Sequence, residues 1–233
     1  MTEYKSIFEQ VRKGSRKLSQ ISDSLANKIL QDLADIVILE TSHLLKSNEL
    51  DCSQMNPENP MLDRLLLTQE RILSIASEIR QVGKLPSPLH LQLEQKILAN
   101  GLNLEKITVP IALKSGNGLI LKGGTDATHS NQAIIQLIHQ ALKKNNVPVD
   151  AFQLLPPDRA ATQAMLEAVG FVDVIIPRGS QGLIEFVRAN AKVPVIETGA
   201  GIVHTYVDST ADLSKAKRSS SIPKPDAQVF AIR

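Results

Sequence analysis

An α/β architecture, a parallel Rossmann-like sheet covered by helices and preceded by a helical region, is what this 233-residue sequence predicts. Two observations carry the prediction. From Asn117 to Ala216 short apolar runs alternate with amphipathic runs of helical period, and the connections are short; that alternation means parallel strands with helices across them. Before Asn117 the apolar spacing is helical only. A third observation fixes the kind of core: 42% of residues are hydrophobic but only 3% are aromatic, so the interior must be aliphatic.

Taken in order, the first helix spans about Glu3 to Gln20 and is charged and moderately amphipathic. The second begins near Ser22 or Asp23, either of which can cap it. Its apolar positions Leu25, Ile29, Leu33, Ile36 and Ile38 recur near helical spacing, and the pattern fades around Ser47 and Asn48. "DCSQMNPENP", with two prolines and two asparagines, reads as a loop. A third helix runs from Gln69 to Val82, with Thr68 as cap, Ile72, Ile75 and Ile79 as its stripe, and Gly83 as its stop. "KLPSPLH" is then a turn.

In the second part, "GLILK" (Gly118 to Lys122) is the first strand. A helix follows from Thr128 to Lys144, with Ala133, Ile134, Leu137, Ile138 and Leu142 on one side. "AFQLL" (Ala151 to Leu155) is the second strand; Asp158 caps a helix ending at Gly170; "FVDVIIP" (Phe171 to Pro177) is the third strand. A helix from Ser180 to Ala189 precedes two more strands, "VPVIE" (Val193 to Glu197) and "IVHTYVD" (Ile202 to Asp208). After Ala216 the apolar period stops, and "KRSSSIPKPDAQVFAIR" brings prolines and serines instead.

Composition excludes several functions. The net charge is +2, from 26 basic and 24 acidic residues, so no general footprint for nucleic acid is expected. No apolar run approaches membrane-spanning length, and "MTEYKSIFEQ" lacks a signal-peptide core; a soluble cytoplasmic protein is expected. The one cysteine, Cys52, permits no internal disulfide and lies in the Pro/Asn-rich loop with no neighbour to lower its pKa. None of His43, His90, His129, His139 and His204 has metal-ligand spacing, and His43 and His139 are expected on helix surfaces, so no metal is expected.

Three turns at strand ends are candidates for binding. In "IIPRGSQGLIEF" a buried strand ends at Pro177 and a helix begins near Ser180, with Arg178, Gly179, Ser180 and Gly182 in the turn. Glycine lets backbone approach closely, and a helix start offers N–H groups to a phosphate. In "LKGGTDATHSN" Lys122 ends the first strand, Gly123 and Gly124 follow, and Thr125, Asp126 or Thr128 can cap the next helix. Lys122 can meet a ribose hydroxyl or a phosphate as a point charge. In "IETGAGIVH" Glu197, Gly199 and Gly201 join two strands. Taken singly, each motif is also explained as a tight turn or bulge needing glycine, with a solvated lysine.

Together these stretches resemble the gamma-glutamyl phosphate reductases, or glutamate-5-semialdehyde dehydrogenases, of the aldehyde dehydrogenase superfamily. "MLDRLLLTQERILSIASEIRQV", "LKSGNGLILKGGTDATHSN", "VDVIIPRGSQGLI" and "VPVIETGAGIVHTYVD" are similar to that family's landmarks, in the same order, up to about Lys217. The resemblance implies an incomplete aldehyde dehydrogenase-like fold and a soluble enzyme of proline biosynthesis. It implies reduction of gamma-glutamyl phosphate to the semialdehyde with NADPH, through a nucleophilic cysteine, and a functional link to glutamate 5-kinase. NADP is the implied cofactor, met by Lys122, Gly123, Gly124, Thr125, Arg178, Gly179, Ser180, Gly182, Glu197 and Gly199.

The chain departs from the family twice. Between Pro110 and Ile111 the family carries an extra strand and a motif like Y-E-A-R-P-N, absent here. Residues 218–233 stand where the family has its cysteine loop, and the codons of "SIPKPDAQVFAI" read one frame away permit N-S-K-T-R-R-P-S-V-C-N. The expectation is therefore an NADP-binding region over 1–217, an aberrant out-of-frame tail over 218–233 and no catalytic cysteine. That makes either an inactive reductase by descent or a nucleotide-binding or interaction module without catalysis.

Overall fold

The computed structural model describes residues 2–59, 62–86 and 108–197. The expected strand Ile202–Asp208, most of the turn at Lys84–His90, Gly199, Gly201, His90, His204 and the tail 218–233 lie outside the described residues. The chain divides into two units, Met1–Asp173 and Val174–Arg233.

In the first unit, α1 (Thr2–Leu18), α2 (Asp23–Leu39) and α3 (Thr41–Ser53) open the chain. Ser22 caps α2, its Oγ accepting from Leu25 N at 3.2 Å. The long second helix expected from periodicity is broken in two. Glu40 leaves helical geometry (φ −92°, ψ 19°), and the Thr41 hydroxyl donates to Ile38 O at 2.7 Å, drawing on a carbonyl near the end of α2. α3 then runs past Asn48 to Ser53, so Asp51 and Cys52 are helical, not in a loop.

A short turn, α4 (Leu62–Leu65), precedes α5 (Gln69–Gly83), capped as expected by Thr68, whose Oγ1 accepts from Arg71 N at 3.2 Å. Gly83 is the last residue of α5 rather than the position beyond it. α5 packs on α2, and Ile72, Ala76, Ile79 and Val82 meet Ile29, Leu30, Leu33 and Ala34. Each fully buried Leu or Ile contributes about 1.5–3 kcal/mol relative to exposure. α6 (Thr108–Lys114) carries Pro110 and Ile111 as consecutive helical residues, with proline in the first turn, where its missing N–H costs no bond.

The sheet of this unit is β1 (Leu119–Lys122) and β2 (Phe152–Leu155), parallel, with Leu119 opposite Phe152 and Lys122 opposite Leu155. α7 (Thr128–Lys144) joins them and packs on β2, α2 and α3. Its buried face is Ala133, Ile135, Leu137, Ile138, Ala141 and Leu142; Ile134, expected inside, is 40% exposed. α1 seats against the turn before β2: a Cβ on Gly14 would lie 2.6 Å from Ala151 N, so only glycine allows that approach. α8 (Arg159–Leu166) is capped by Asp158, Oδ1 accepting from Ala161 N at 2.6 Å. It stops at Leu166 rather than Gly170. Beyond Glu167 the bonds shorten to Ala168 N to Met165 O and Val169 N to Glu167 O, a tightening turn that seats Ala168 in the core, before Gly170 takes φ +81°.

In the second unit, α9 (Gln181–Asn190) follows Ser180. The expected strands Phe171–Pro177 and Val193–Glu197 reduce, among the described residues, to one parallel bridge between Ile175 and Val195. Ile175 N donates to Pro194 O and Ile196 N to Ile175 O, each at 2.9 Å. Pro177 and Pro194 have no N–H to extend the ladder.

Candidate functional site

Lys122 is the last residue of β1, half-buried, and the chain leaves the sheet there. A Cβ on Gly123 would lie 2.1 Å from Asn131 Nδ2, the far end of a side chain that can turn aside. Gly124 has open space around it and ordinary dihedrals (φ −73°, ψ 165°), so it adds no contact of its own. Thr125 begins a 3₁₀ turn to Ala127; its carbonyl accepts from Thr128 Oγ1 at 2.9 Å.

Neither Thr125, Asp126 nor Thr128 caps α7, contrary to the expectation. Ala127 holds the cap position without a side-chain bond. The capping group is Asp51 of α3, whose Oδ1 accepts from His129 N at 2.9 Å and Oδ2 from Ser130 N at 2.7 Å. Asn48, one turn back on α3, donates from Nδ2 to Leu65 O (2.9 Å) and to Ser130 Oγ (3.2 Å), and accepts at Oδ1 from Leu67 N (2.7 Å). Both side chains are almost fully buried. A carboxylate thus already neutralises the positive start of α7, and that helix is not a place for a phosphate. Asp51 was not identifiable from sequence: it stands 78 residues from His129 and carries no local capping pattern.

Beside this loop a cleft of about 360 Å³ opens between α7 and the end of β2. Gly123, Gly124 and Asn131 form one wall, and Gln153, Leu155 and Pro156 another. His139, expected on a free helix surface, lies on this cleft with Nε2 2.7 Å from Phe152 O. The sequence signal for it was only its position on the helix face next to Ile138.

In the second unit the turn Arg178–Gly182 has the features of an anion cradle. Gly179 takes φ +143°, a conformation for glycine alone, and a Cβ would also lie 2.9 Å from Leu183 Cδ2. Ser180 caps α9, its Oγ accepting from Leu183 N at 3.3 Å and its carbonyl from Ile184 N at 3.1 Å. The N–H groups of Gln181 and Gly182 are the remaining orphans of the first turn, and the space about Gly182 is open. Arg178 is half-buried beside them. Glu197 accepts from Arg188 NH1 at 3.1 Å, tying α9 to the segment after it.

Cys52 lies on the last turn of α3, half-buried, with Sγ 3.6 Å from Asn48 Oδ1. Burial, and then the charge of Asp51, push its thiol above the usual range, which disfavours a thiolate. Among the described residues no cluster of His, Cys, Asp and Glu could hold a metal ion, and no helix is long and apolar enough to cross a membrane.

No protein-family model matches the chain. Among curated proteins it is similar to the gamma-glutamyl phosphate reductase of Pelodictyon phaeoclathratiforme, 48% identical over 227 residues (89% of this chain, 54% of that protein). It is also similar to that of Bacteroides fragilis, 46% identical over 228 residues (89% and 55%). The chain spans about half the length of the curated relatives it matches. Of solved structures, the gamma-glutamyl phosphate reductase of Thermotoga maritima matches with a TM-score of 0.76 and 30% identity, covering 91% of this chain and 57% of that one. The glyceraldehyde-3-phosphate dehydrogenase of Methanocaldococcus jannaschii, solved with NADP, matches in fold with a TM-score of 0.72 at 17% identity, covering 92% and 49%. The fold is that of an incomplete aldehyde dehydrogenase-like α/β protein.

Proposed function

We propose that this chain, a homologue of the gamma-glutamyl phosphate reductases, is the NADP-binding part of an oxidoreductase of proline biosynthesis, one that reduces gamma-glutamyl phosphate to glutamate-5-semialdehyde. The observation that carries the reading is the turn at Gly179 and Ser180. A positive φ, a serine cap and two unbonded N–H groups at Gln181 and Gly182 make a receptor for a pyrophosphate at the start of α9. Arg178 adds positive charge to it. In the other unit the α7 terminus is closed by Asp51, so Lys122 is the cation left to the loop after β1. Its ammonium suits a ribose 2′-phosphate as a point charge, which favours NADP over NAD. When bound, NADPH supplies the hydride of the reaction; this chain's residues bind and orient it. Gly199 is assigned to the same side by resemblance alone.

The reaction class requires a nucleophile for the acyl phosphate. Cys52 is the only cysteine in the 233 residues, and its raised thiol lies against Asn48. We therefore assign residues 1–217 to nucleotide binding, 218–233 to an aberrant tail, and the chain by itself to binding without turnover. The acyl phosphate is a reactive substrate, which supports supply by glutamate 5-kinase.

The test is a nucleotide titration beside a coupled NADPH assay on the 233-residue chain. Saturable NADPH binding with no acyl-phosphate reduction is expected. Turnover comparable to a complete reductase would overturn the assignment of chemistry. A read of the gene across the codons for Pro110 and Lys217 tests the tail: the cysteine loop is expected just downstream in another frame.

A further inference from the structure

We propose that the outer face of α1 is a docking surface for an acidic segment of another protein. Arg12, Lys13, Arg16 and Lys17 carry it, and all four are exposed. Helical spacing sets them in two neighbouring rows, Arg12 with Arg16 and Lys13 with Lys17, one turn apart. Val11, Gly14 and Leu18, on the opposite side of the same stretch, are buried. The patch has no internal counter-ion. Ion pairs among the described residues draw on Arg71, Arg80, Lys114, Lys144 and Arg188, and none on α1. Glu9, one turn before Lys13, and Asp150, in the turn that α1 packs on, are exposed carboxylates that pair with none of the four. Like charges at this spacing destabilise a helix. The helix dipole favours Arg16 and Lys17 in the last turn, but its reach ends before Arg12 and Lys13.

The chemistry of the partner follows from what surrounds these cations. Phe8, Val11 and Leu18 are buried in the core, so α1 offers no apolar side to a lipid surface. Tyr4 is half-buried and Phe8 buried, so no aromatic ring of α1 stands free for a base to stack on. Of the 26 basic residues these are four, and the other 22 face 24 acidic ones. Beyond the patch the chain is net negative, and a long polyanion finds no track across it. A short run of Asp and Glu does fit. Each arginine fork takes one carboxylate bidentate, and each lysine takes another as a point charge. Arg12 is already set in place: NH1 donates to Gly170 O at 2.8 Å, and its guanidinium lies 6.0 Å from the centroid of the Phe171 ring. A guanidinium held this way loses little freedom when it takes up a carboxylate.

The experiment is a fluorescence-anisotropy titration of labelled decaglutamate with the 233-residue chain at low salt. It is repeated with Lys13→Gln, Arg16→Gln and Lys17→Gln, and with Lys46→Gln and Lys84→Gln as controls, whose lysines are exposed on α3 and at the end of α5. Circular dichroism confirms folding of each variant. Saturable binding is expected. Each α1 cation removed should weaken it by up to about fivefold, the range of an exposed ion pair, and the controls should leave it unchanged. Lys13→Glu combined with Lys17→Glu should lose decaglutamate and gain decalysine, a swap that a packing role for α1 would not produce. No saturable binding, or equal weakening in the controls, would overturn the proposal. A DNA duplex or phosphatidylserine vesicles bound more tightly than decaglutamate, and released by the same α1 variants, would also overturn it by giving the patch to nucleic acid or lipid.

Discussion

Asp51 Oδ2 lies 2.7 Å from Ser130 N, and through that contact α3 holds the start of a helix at a residue 79 positions further along the chain. The carboxylate takes two first-turn N–H groups of α7 and is almost fully buried while doing so. Asp51→Ala leaves both donors without a partner. A hydrogen bond to a charged group contributes about 1.5–3 kcal/mol, so a loss of about that size is expected in urea denaturation of the chain. Cys52→Ala, the neighbouring change, should cost much less; equal losses would show that α3 packing rather than the cap is responsible.

Gly179→Ala tests the turn before α9. At φ +143° a side chain is strained by about 1–3 kcal/mol, and the new Cβ also meets Leu183. If the turn relaxes to relieve this, the cradle is lost. NADP affinity should fall roughly 5- to 150-fold, the equivalent of that strain. Gly182→Ala, at a position with open space, should fall less. Equal effects at the two positions would count against a role for the left-handed backbone.

Much of this was legible in the sequence, and the exceptions share a cause. Ser22, Thr68 and Asp158 cap their helices as expected because each N-cap bond reaches only three residues along the chain. α7 was expected to follow the same rule, but its cap comes from α3, which no local pattern reveals. The break at Glu40 went unseen for a related reason: apolar spacing continues across it, and only the Thr41 hydroxyl bond marks the bend. β1 and β2 follow their apolar runs, whereas Phe171–Pro177 and Val193–Glu197 carry prolines that hold them to a single bridge. Of the candidate site, the loop glycines were visible and their reasons were not. Gly179 is needed for its φ, whereas Gly123 meets only the movable end of Asn131 and Gly124 meets nothing.

Asp32 gives a pH dependence. Burial alone would raise its carboxyl, but hydrogen bonds from Lys144 (2.7 Å) and Asn145 (2.8 Å), with the charges of Lys144 and Lys28, hold it below the usual value. A depressed folded pKa stabilises the fold at pH above the unfolded value, about 3.9. That contribution is lost as pH falls through the folded pKa. Asp32→Asn should therefore lower the urea midpoint at pH 6 and change it little near pH 2. A deficit of the same size at both pH values would contradict the linkage.

Cys52 should behave as an inert thiol. Burial and Asp51 push its pKa up, so alkylation by iodoacetamide is expected to be slow at pH 7 and to rise only above the ordinary thiol range, about 8.5. Fast modification at neutral pH would reveal a thiolate.

The most direct test of the central claim is the affinity of the 233-residue chain for NADP and NAD, measured by titration in the native form and in Lys122→Ala. The account predicts saturable binding, tighter for NADP. Removing the Lys122 ammonium should weaken NADP about tenfold, a loss of about 1.4 kcal/mol, and bring the two nucleotides close together. No saturable binding, or an NADP preference that survives Lys122→Ala, would contradict it.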